Sequence, residues 1–193
     1  NFLYEREILK SFKSPIPTLV VGNLSVGGTG KTPMVEFLIK NLRSEVSLAT
    51  LSRGYGRKTK GFIQATVDST ADQLGDEPLQ IFNKFQTEIP VFVGEDRVNA
   101  LYQIREIADE IDLVILDDAF QHRRLASDYK ILLTPYNKPF FQDHILPAGR
   151  LRESRQGAQR ADLLVVTKCP EDLPPQVKME YRQQIAKYSS DQV

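Results

Sequence analysis

Short apolar runs alternate along the chain with stretches whose apolar residues recur at helical spacing. Thr18-Leu19-Val20-Val21-Gly22 follows Pro17 as a continuous apolar, β-branched run and stops at a glycine-rich turn, the pattern of a parallel strand buried on both faces. A helix is predicted from Thr32, with Val35, Phe37, Leu38, Ile39 and Leu42 at mixed helical spacing and an end near Arg43-Ser44. A second strand run, Val46 to Leu51, then completes one β-α-β unit. Further strands are predicted over Phe62 to Val67, Pro90 to Val93, Leu113 to Leu116, Tyr129 to Leu133 and Leu163 to Val166. Between them, Pro78 to Phe85 and Val98 to Ile111 read as sheet-covering helices, the second with Val98, Leu101, Ile104 and Ala108 on one side. Thr134 to Arg160 is punctuated by prolines and polar residues and reads as a long loop with a short helix and no strand. Pro174 to Tyr188 carries a weak helical pattern. The alternation predicts an α/β fold: a layered, mostly parallel sheet with helices on both faces.

Composition narrows the function classes. With 193 residues, 41% of them apolar, the chain suits one domain with a sizeable core. Its 25 basic and 25 acidic residues cancel, so no global positive field argues for nucleic acid, and an anionic ligand must be met by local arginines. The single cysteine, Cys169, supports neither a disulfide framework nor a multi-thiolate metal site and reads as packing in a reducing compartment. No run approaches the roughly 20 apolar residues that span a bilayer. The chain opens on Asn1, and Asn1 to Leu9 reads as the tail of a helix begun upstream.

The strongest chemical signal is Ser25-Val26-Gly27-Gly28-Thr29-Gly30-Lys31-Thr32, set between a predicted strand and a predicted helix. Glycines there let backbone N–H groups wrap phosphate oxygens, and the helix N-terminus adds its positive dipole end. Lys31 is expected to reach the β- and γ-phosphates of a nucleotide, and the Thr32 hydroxyl to ligate Mg²⁺. Ser25 stands where the Walker A pattern has its first glycine. The loop makes the expected fold P-loop NTPase-like, with ATP and Mg²⁺ as cofactors.

Leu113-Val114-Ile115-Leu116-Asp117-Asp118 is an apolar strand ending in two carboxylates, as a Walker B strand delivers an acid to the metal. Asp117 and Asp118 are therefore metal-site candidates, and Asp118 is also a catalytic one beside Lys31. Asp96 follows Pro90-Val91-Phe92-Val93-Gly94 and precedes a helix. A general base for an attacking hydroxyl and a plain helix N-cap fit that position equally.

In order along the chain come Val21 to Pro33, Leu51-Ser52-Arg53-Gly54-Tyr55-Gly56-Arg57, Gly75-Asp76-Glu77-Pro78 and Gly94-Glu95-Asp96-Arg97. Asp117-Asp118-Ala119-Phe120-Gln121-His122-Arg123, Leu146 to Glu153 and Val166-Thr167-Lys168-Cys169-Pro170 follow. Together these motifs resemble the lipid A 4'-kinase (tetraacyldisaccharide 4'-kinase) family from Pro17 to Pro170. The resemblance implies transfer of the ATP γ-phosphate to the 4'-hydroxyl of a tetraacyl glucosamine disaccharide 1-phosphate by a peripheral enzyme at the cytoplasmic face of the bacterial inner membrane. It places the general base at Asp96, the Mg²⁺ region at Thr32, Asp117 and Asp118, and further polar contacts at Gln121 and Glu153. It also implies that residues 1–16 are the remnant of a membrane-associated N-terminal helix region, that residues 17–193 are the P-loop kinase domain, and that a second lobe with a histidine-rich motif lies outside this chain. His122 and His144 are not assigned to that motif. Arg53, Arg57, Arg97 and Arg150 sit on loops beside predicted strand ends, where arginine suits bidentate contact with ATP or the lipid 1-phosphate.

The competing class is a P-loop GTPase or ATPase switch of metallochaperone type. Thr167-Lys168 at a strand end superficially fits guanine recognition, but that needs an acid two positions after the lysine, where Pro170 stands.

Overall fold

The computed structural model describes residues 10–188. Its centre is a seven-stranded sheet. The strands are β2 (Thr18–Asn23), β3 (Leu48–Ser52), β4 (Ile63–Gln64), β5 (Val91–Val93), β6 (Leu113–Asp117), β8 (Tyr129–Pro135) and β9 (Leu163–Thr167), in spatial order β4-β5-β3-β6-β2-β8-β9. Every neighbouring pair is parallel except β4 with β5. A separate two-stranded sheet joins β1 (Phe12–Lys13) to β7 (Leu125–Ala126), a pairing between segments too short to carry a periodic signal.

The strands are near-continuously apolar because both faces are covered. Val20, Leu51, Phe92, Val114, Leu116 and Leu132 face one buried cluster, which α4 (Arg97–Ile107) closes with Val98, Leu101 and Ile104 and α5 (Pro175–Ala186) with Ile185. Their alternates Val21, Leu48, Val91, Val93, Ile115, Ile131 and Leu133 face the other, which α1 (Lys31–Leu42) closes with Val35 and Ile39 and α3 (Asp76–Phe85) with Ile81 and Phe85. The period of two thus assigns each strand residue to one layer or the other. A single turn of helix, α2 (Ala71–Leu74), precedes α3.

Two expectations need correction. The strand expected over Phe62 to Val67 shortens to Ile63–Gln64, because the chain turns at Thr66, whose carbonyl accepts from Ser69 N–H at 3.0 Å, and leaves Val67 83% exposed. The region from Thr134 begins as strand, since Thr134 and Pro135 continue β8 opposite Val166 and Thr167. Beyond it the loop carries short 3-10 helices at Phe140–Gln142 and Arg155–Arg160, in keeping with the short helix expected there. Asn1 to Leu9, expected as a helix tail, lies outside the described residues. Ile16 is buried, and β1 is paired with β7. No helix among the described residues is long and apolar enough to cross a membrane.

Parallel pairing sets the C-terminal ends of β2, β3, β5, β6, β8 and β9 on one edge of the sheet. The loops that follow them build the site.

Candidate active site

β2 ends at Asn23 and α1 begins at Lys31, so the intervening loop turns directly onto a helix N-terminus. Gly27 (φ 101°) and Gly30 (φ 91°) take left-handed conformations that side chains disfavour. Ser25 does not: it is bridged to Leu151 in extended form, which is why serine is tolerated there. The buried Asn23 amide staples the loop, donating to Ser25 O and Thr29 Oγ1 at 2.7 Å each. Val26 N donates to Arg150 O and Arg152 N to Leu24 O, both at 2.8 Å. The first turn of α1 has no side-chain cap and no acidic residue, so its N–H groups and dipole face the loop uncompensated. That is an anion site by construction.

Asp117 and Asp118 end β6 but point into different surroundings. Asp117 is buried, and its Oδ1 has no hydrogen-bond partner. Burial first, and then the nearby Glu77 carboxylate, push its pKa up to about 7. Asp117, Thr32, Glu77, Thr50 and Ser52 are the polar lining of one small cavity. Asp118 stands in a left-handed conformation (φ 50°) with Lys31 Nζ at 3.8 Å. The Arg152 guanidinium forks onto both its oxygens, at 2.7 and 3.0 Å, and also donates to Asn23 Oδ1. Burial alone would raise the Asp118 pKa, but Arg152 and Lys31 outweigh it and hold the carboxyl low. Of the expected metal set, Thr32 and Asp117 therefore share a cavity, while Asp118 is engaged by two cations. Oxygen donors of this kind, one of them buried and unsatisfied, fit a hard cation such as Mg²⁺.

Asp96 is the N-cap of α4: Asn99 N–H donates to its Oδ1 at 3.2 Å, and Arg124 pairs with its Oδ2 at 2.7 Å. Burial works against ionisation there, but the Asn99 amide and Arg124 outweigh it, so the pKa is lowered. Asp76, by contrast, opens α3 one residue before Glu77, is exposed, and its side chain has no hydrogen bond or ion pair among the described residues. Arg97 is 5% exposed, donates to Glu95 O, and is pushed down to about 10 by burial and by Arg53. His122, next to these cations, is held below its usual pKa by burial and Arg97, and its Nε2 lacks a partner. Arg57 is tied to Glu95 and Gly61 O, and Arg150 to Asp143. Gln121 bridges Asn23 O and Glu153, whose carboxylate also pairs with Arg160 at 2.8 Å. Arg57, Arg150, Gln121 and Glu153 thus frame the loops, and Arg53 is left facing the Arg97 and His122 cluster.

The family model described as tetraacyldisaccharide-1-P 4'-kinase, LpxK, matches residues 1–192. The chain belongs to this kinase family. It is 47% identical over 190 residues to the tetraacyldisaccharide 4'-kinase of Flavobacterium psychrophilum, covering 98% of this chain and 55% of that relative. With the one from Cytophaga hutchinsonii it shares 50% identity over 170 residues, 88% of this chain and 48% of the relative. A crystal structure of LpxK from Aquifex aeolicus in complex with ATP matches with a TM-score of 0.78 and 37% identity, over 91% of this chain and 56% of that one. The chain spans about half the length of the curated relatives it matches.

Among the contributors to this site, Asn23 and Glu77 had no role assigned from sequence, and Thr167 and Lys168 had only the guanine reading. Glu77 lies in the Gly75-Asp76-Glu77-Pro78 motif, and Thr167-Lys168 ends another of the family motifs, so a signal existed. The roles come only from which loop each side chain reaches across the sheet edge.

Proposed function

We propose that this chain forms the nucleotide-binding and phosphoryl-transfer part of an ATP-dependent kinase, which transfers the γ-phosphate to the 4'-hydroxyl of a tetraacyl glucosamine disaccharide 1-phosphate at the cytoplasmic face of the inner membrane. The observation that carries this reading is the uncapped N-terminus of α1 behind the Gly27–Lys31 loop, with the buried, unsatisfied Asp117 beside Thr32. ATP on the Aquifex aeolicus relative supports the nucleotide assignment.

The loop N–H groups of Ser25 to Thr32 would hold the phosphates, and Lys31 would neutralise charge that spreads over the transferred group. Thr32 and Asp117, with Glu77 close by, would hold Mg²⁺, which would supply charge neutralisation for the phosphates. Asp118 would keep Lys31 and Arg152 in place at the phosphate end. The 4'-oxygen forms a bond to the γ-phosphorus as the bond to the bridging oxygen of ADP breaks, and the hydroxyl proton passes to a carboxylate. Asp96 is one acceptor for that proton. Its observed partners give it a capping role and a lowered pKa, and Asp76, exposed beside the cavity-lining Glu77, is the second carboxylate to test. Arg53 and Arg97 offer the positive potential that the lipid 1-phosphate needs.

The test incubates the complete natural protein with Mg²⁺, γ-labelled ATP and detergent-dispersed tetraacyl disaccharide 1-phosphate. Label should enter the lipid as a bisphosphate and be lost in Lys31→Ala. A base acts in the transition state, so its Asn variant should bind ATP almost normally and lose turnover by roughly a hundredfold or more. Comparing Asp96→Asn with Asp76→Asn decides which carboxylate that is. ATP binding without any transfer to the lipid would refute the acceptor assignment.

A further inference from the structure

The end of β9 reaches across the sheet edge to the back of the phosphate loop. Thr167 Oγ1 donates to Thr29 O at 2.7 Å, and Lys168 Nζ donates to Gly28 O at 2.7 Å. A Cβ on Gly30 would sit 3.6 Å from the Thr167 side chain, so a side chain at position 30 would meet the strand end. Lys168 adopts a left-handed backbone (φ 57°) that side chains disfavour, and its side chain is spent on the loop carbonyl. In a trans peptide, the carbonyl of one residue and the N–H of the next point in opposite directions. Holding Gly28 O and Thr29 O toward β9 therefore turns the N–H groups of Thr29 and Gly30 away from it.

We propose that Thr167 and Lys168 are positioning residues that preset two amides of the phosphate cradle, so that nucleotide binding requires no reorientation of the Gly28–Gly30 backbone. This inference rests on the nucleotide reading above. Without the two donors, the peptide planes at positions 28–29 and 29–30 are free to turn, and bound phosphate has to order them.

The test uses the complete protein with four substitutions: Thr167→Val, which keeps the shape and removes the donor, Thr167→Ser, which restores it, Lys168→Met and Lys168→Arg. Two readouts are taken: the ATP dissociation constant with the KM-against-kcat split, and the amide resonances of Thr29 and Gly30 without nucleotide. Thr167→Val is expected to weaken ATP roughly fivefold, in the range of one lost neutral hydrogen bond, and Lys168→Met roughly tenfold or more for a charged donor. Thr167→Ser and Lys168→Arg should recover most of each loss, with kcat changed less than KM. The Thr29 and Gly30 amides should shift in Thr167→Val and Lys168→Met before nucleotide is added. ATP affinity within about twofold of wild type in both donor-free variants, with those amides unmoved, overturns the proposal. So does a loss that Thr167→Ser fails to recover. If wild type binds no ATP at all, the nucleotide reading fails instead, and the amide shifts in the free protein still decide whether the brace exists.

Discussion

At Asp117 two demands meet in one carboxyl group: burial disfavours its charge, and the proposed cation site needs it ionised. Burial and Glu77 raise its pKa from an ordinary 3.8 to about 7. Between those values the folded protein holds a proton that the unfolded chain has released. Stability of the metal-free protein should therefore fall as pH rises through that window, with the full cost present above pH 7. Asp117→Asn removes the titration. Denaturant unfolding at pH 5 and pH 8 in chelator should show wild type losing roughly 2–4 kcal/mol more than the variant between the two. An equal pH dependence in both proteins would mean that Asp117 is better hydrated than its contacts indicate. Residues of this kind differ in how far sequence discloses them. Lys31 and Thr32 are legible because a loop of fixed spacing between strand and helix defines their geometry locally. Asp96 stayed ambiguous because a cap and a base occupy the same place after a strand. Thr167 and Lys168 were illegible as braces because their acceptors, Thr29 and Gly28, lie 138 and 140 positions away.

Among the elements, β2 has the least room to vary, because it is paired on both sides and delivers the loop. Its Gly22 pairs with Leu132 of β8, and the chain after β6 crosses close above it: a Cβ there would lie 2.5 Å from Phe120 Cβ. That atom sits at the root of its side chain and cannot swing aside, so the Phe120 backbone must move. The same turn carries Asp118 and Gln121. Gly22→Ala should cost about 2 kcal/mol or more and lower Tm by roughly 4–8 °C for a chain of this size, read in a thermal melt. Unchanged Tm would show that the turn after β6 yields without cost. The long strands were readable for the reason that makes β2 rigid: burial on two faces leaves uninterrupted apolar runs. The short pair β1 with β7 was not, since two-residue strands carry no period and exist only through their partners, and β4, expected over Phe62 to Val67, keeps only Ile63–Gln64 against β5. The edge strand β9 is a middle case, with its apolar run visible and its reach to the loop hidden.

For the molecule as a whole, a parallel sheet gathers the six loops that follow β2, β3, β5, β6, β8 and β9 along one edge, so a ligand held there ties separate parts of the chain together. Binding to the folded state alone stabilises it by about 2.7 kcal/mol at a hundredfold excess over Kd. For a chain of this length that corresponds to a Tm rise of roughly 5–10 °C with ATP and Mg²⁺. On the proposed reading chelation should remove much of it, because Thr32 and Asp117 would then lose the cation they hold. GTP at the same concentration should raise Tm less. The β9 loop presents Thr167-Lys168-Cys169-Pro170, with no carboxylate at position 170 to pair with the guanine edge. A thermal melt with each nucleotide, with and without Mg²⁺, separates the classes. Equal stabilisation by GTP would return weight to a switch-type GTPase. A preference for ATP that depends on Mg²⁺ leaves the lipid acceptor as the remaining question for the transfer assay.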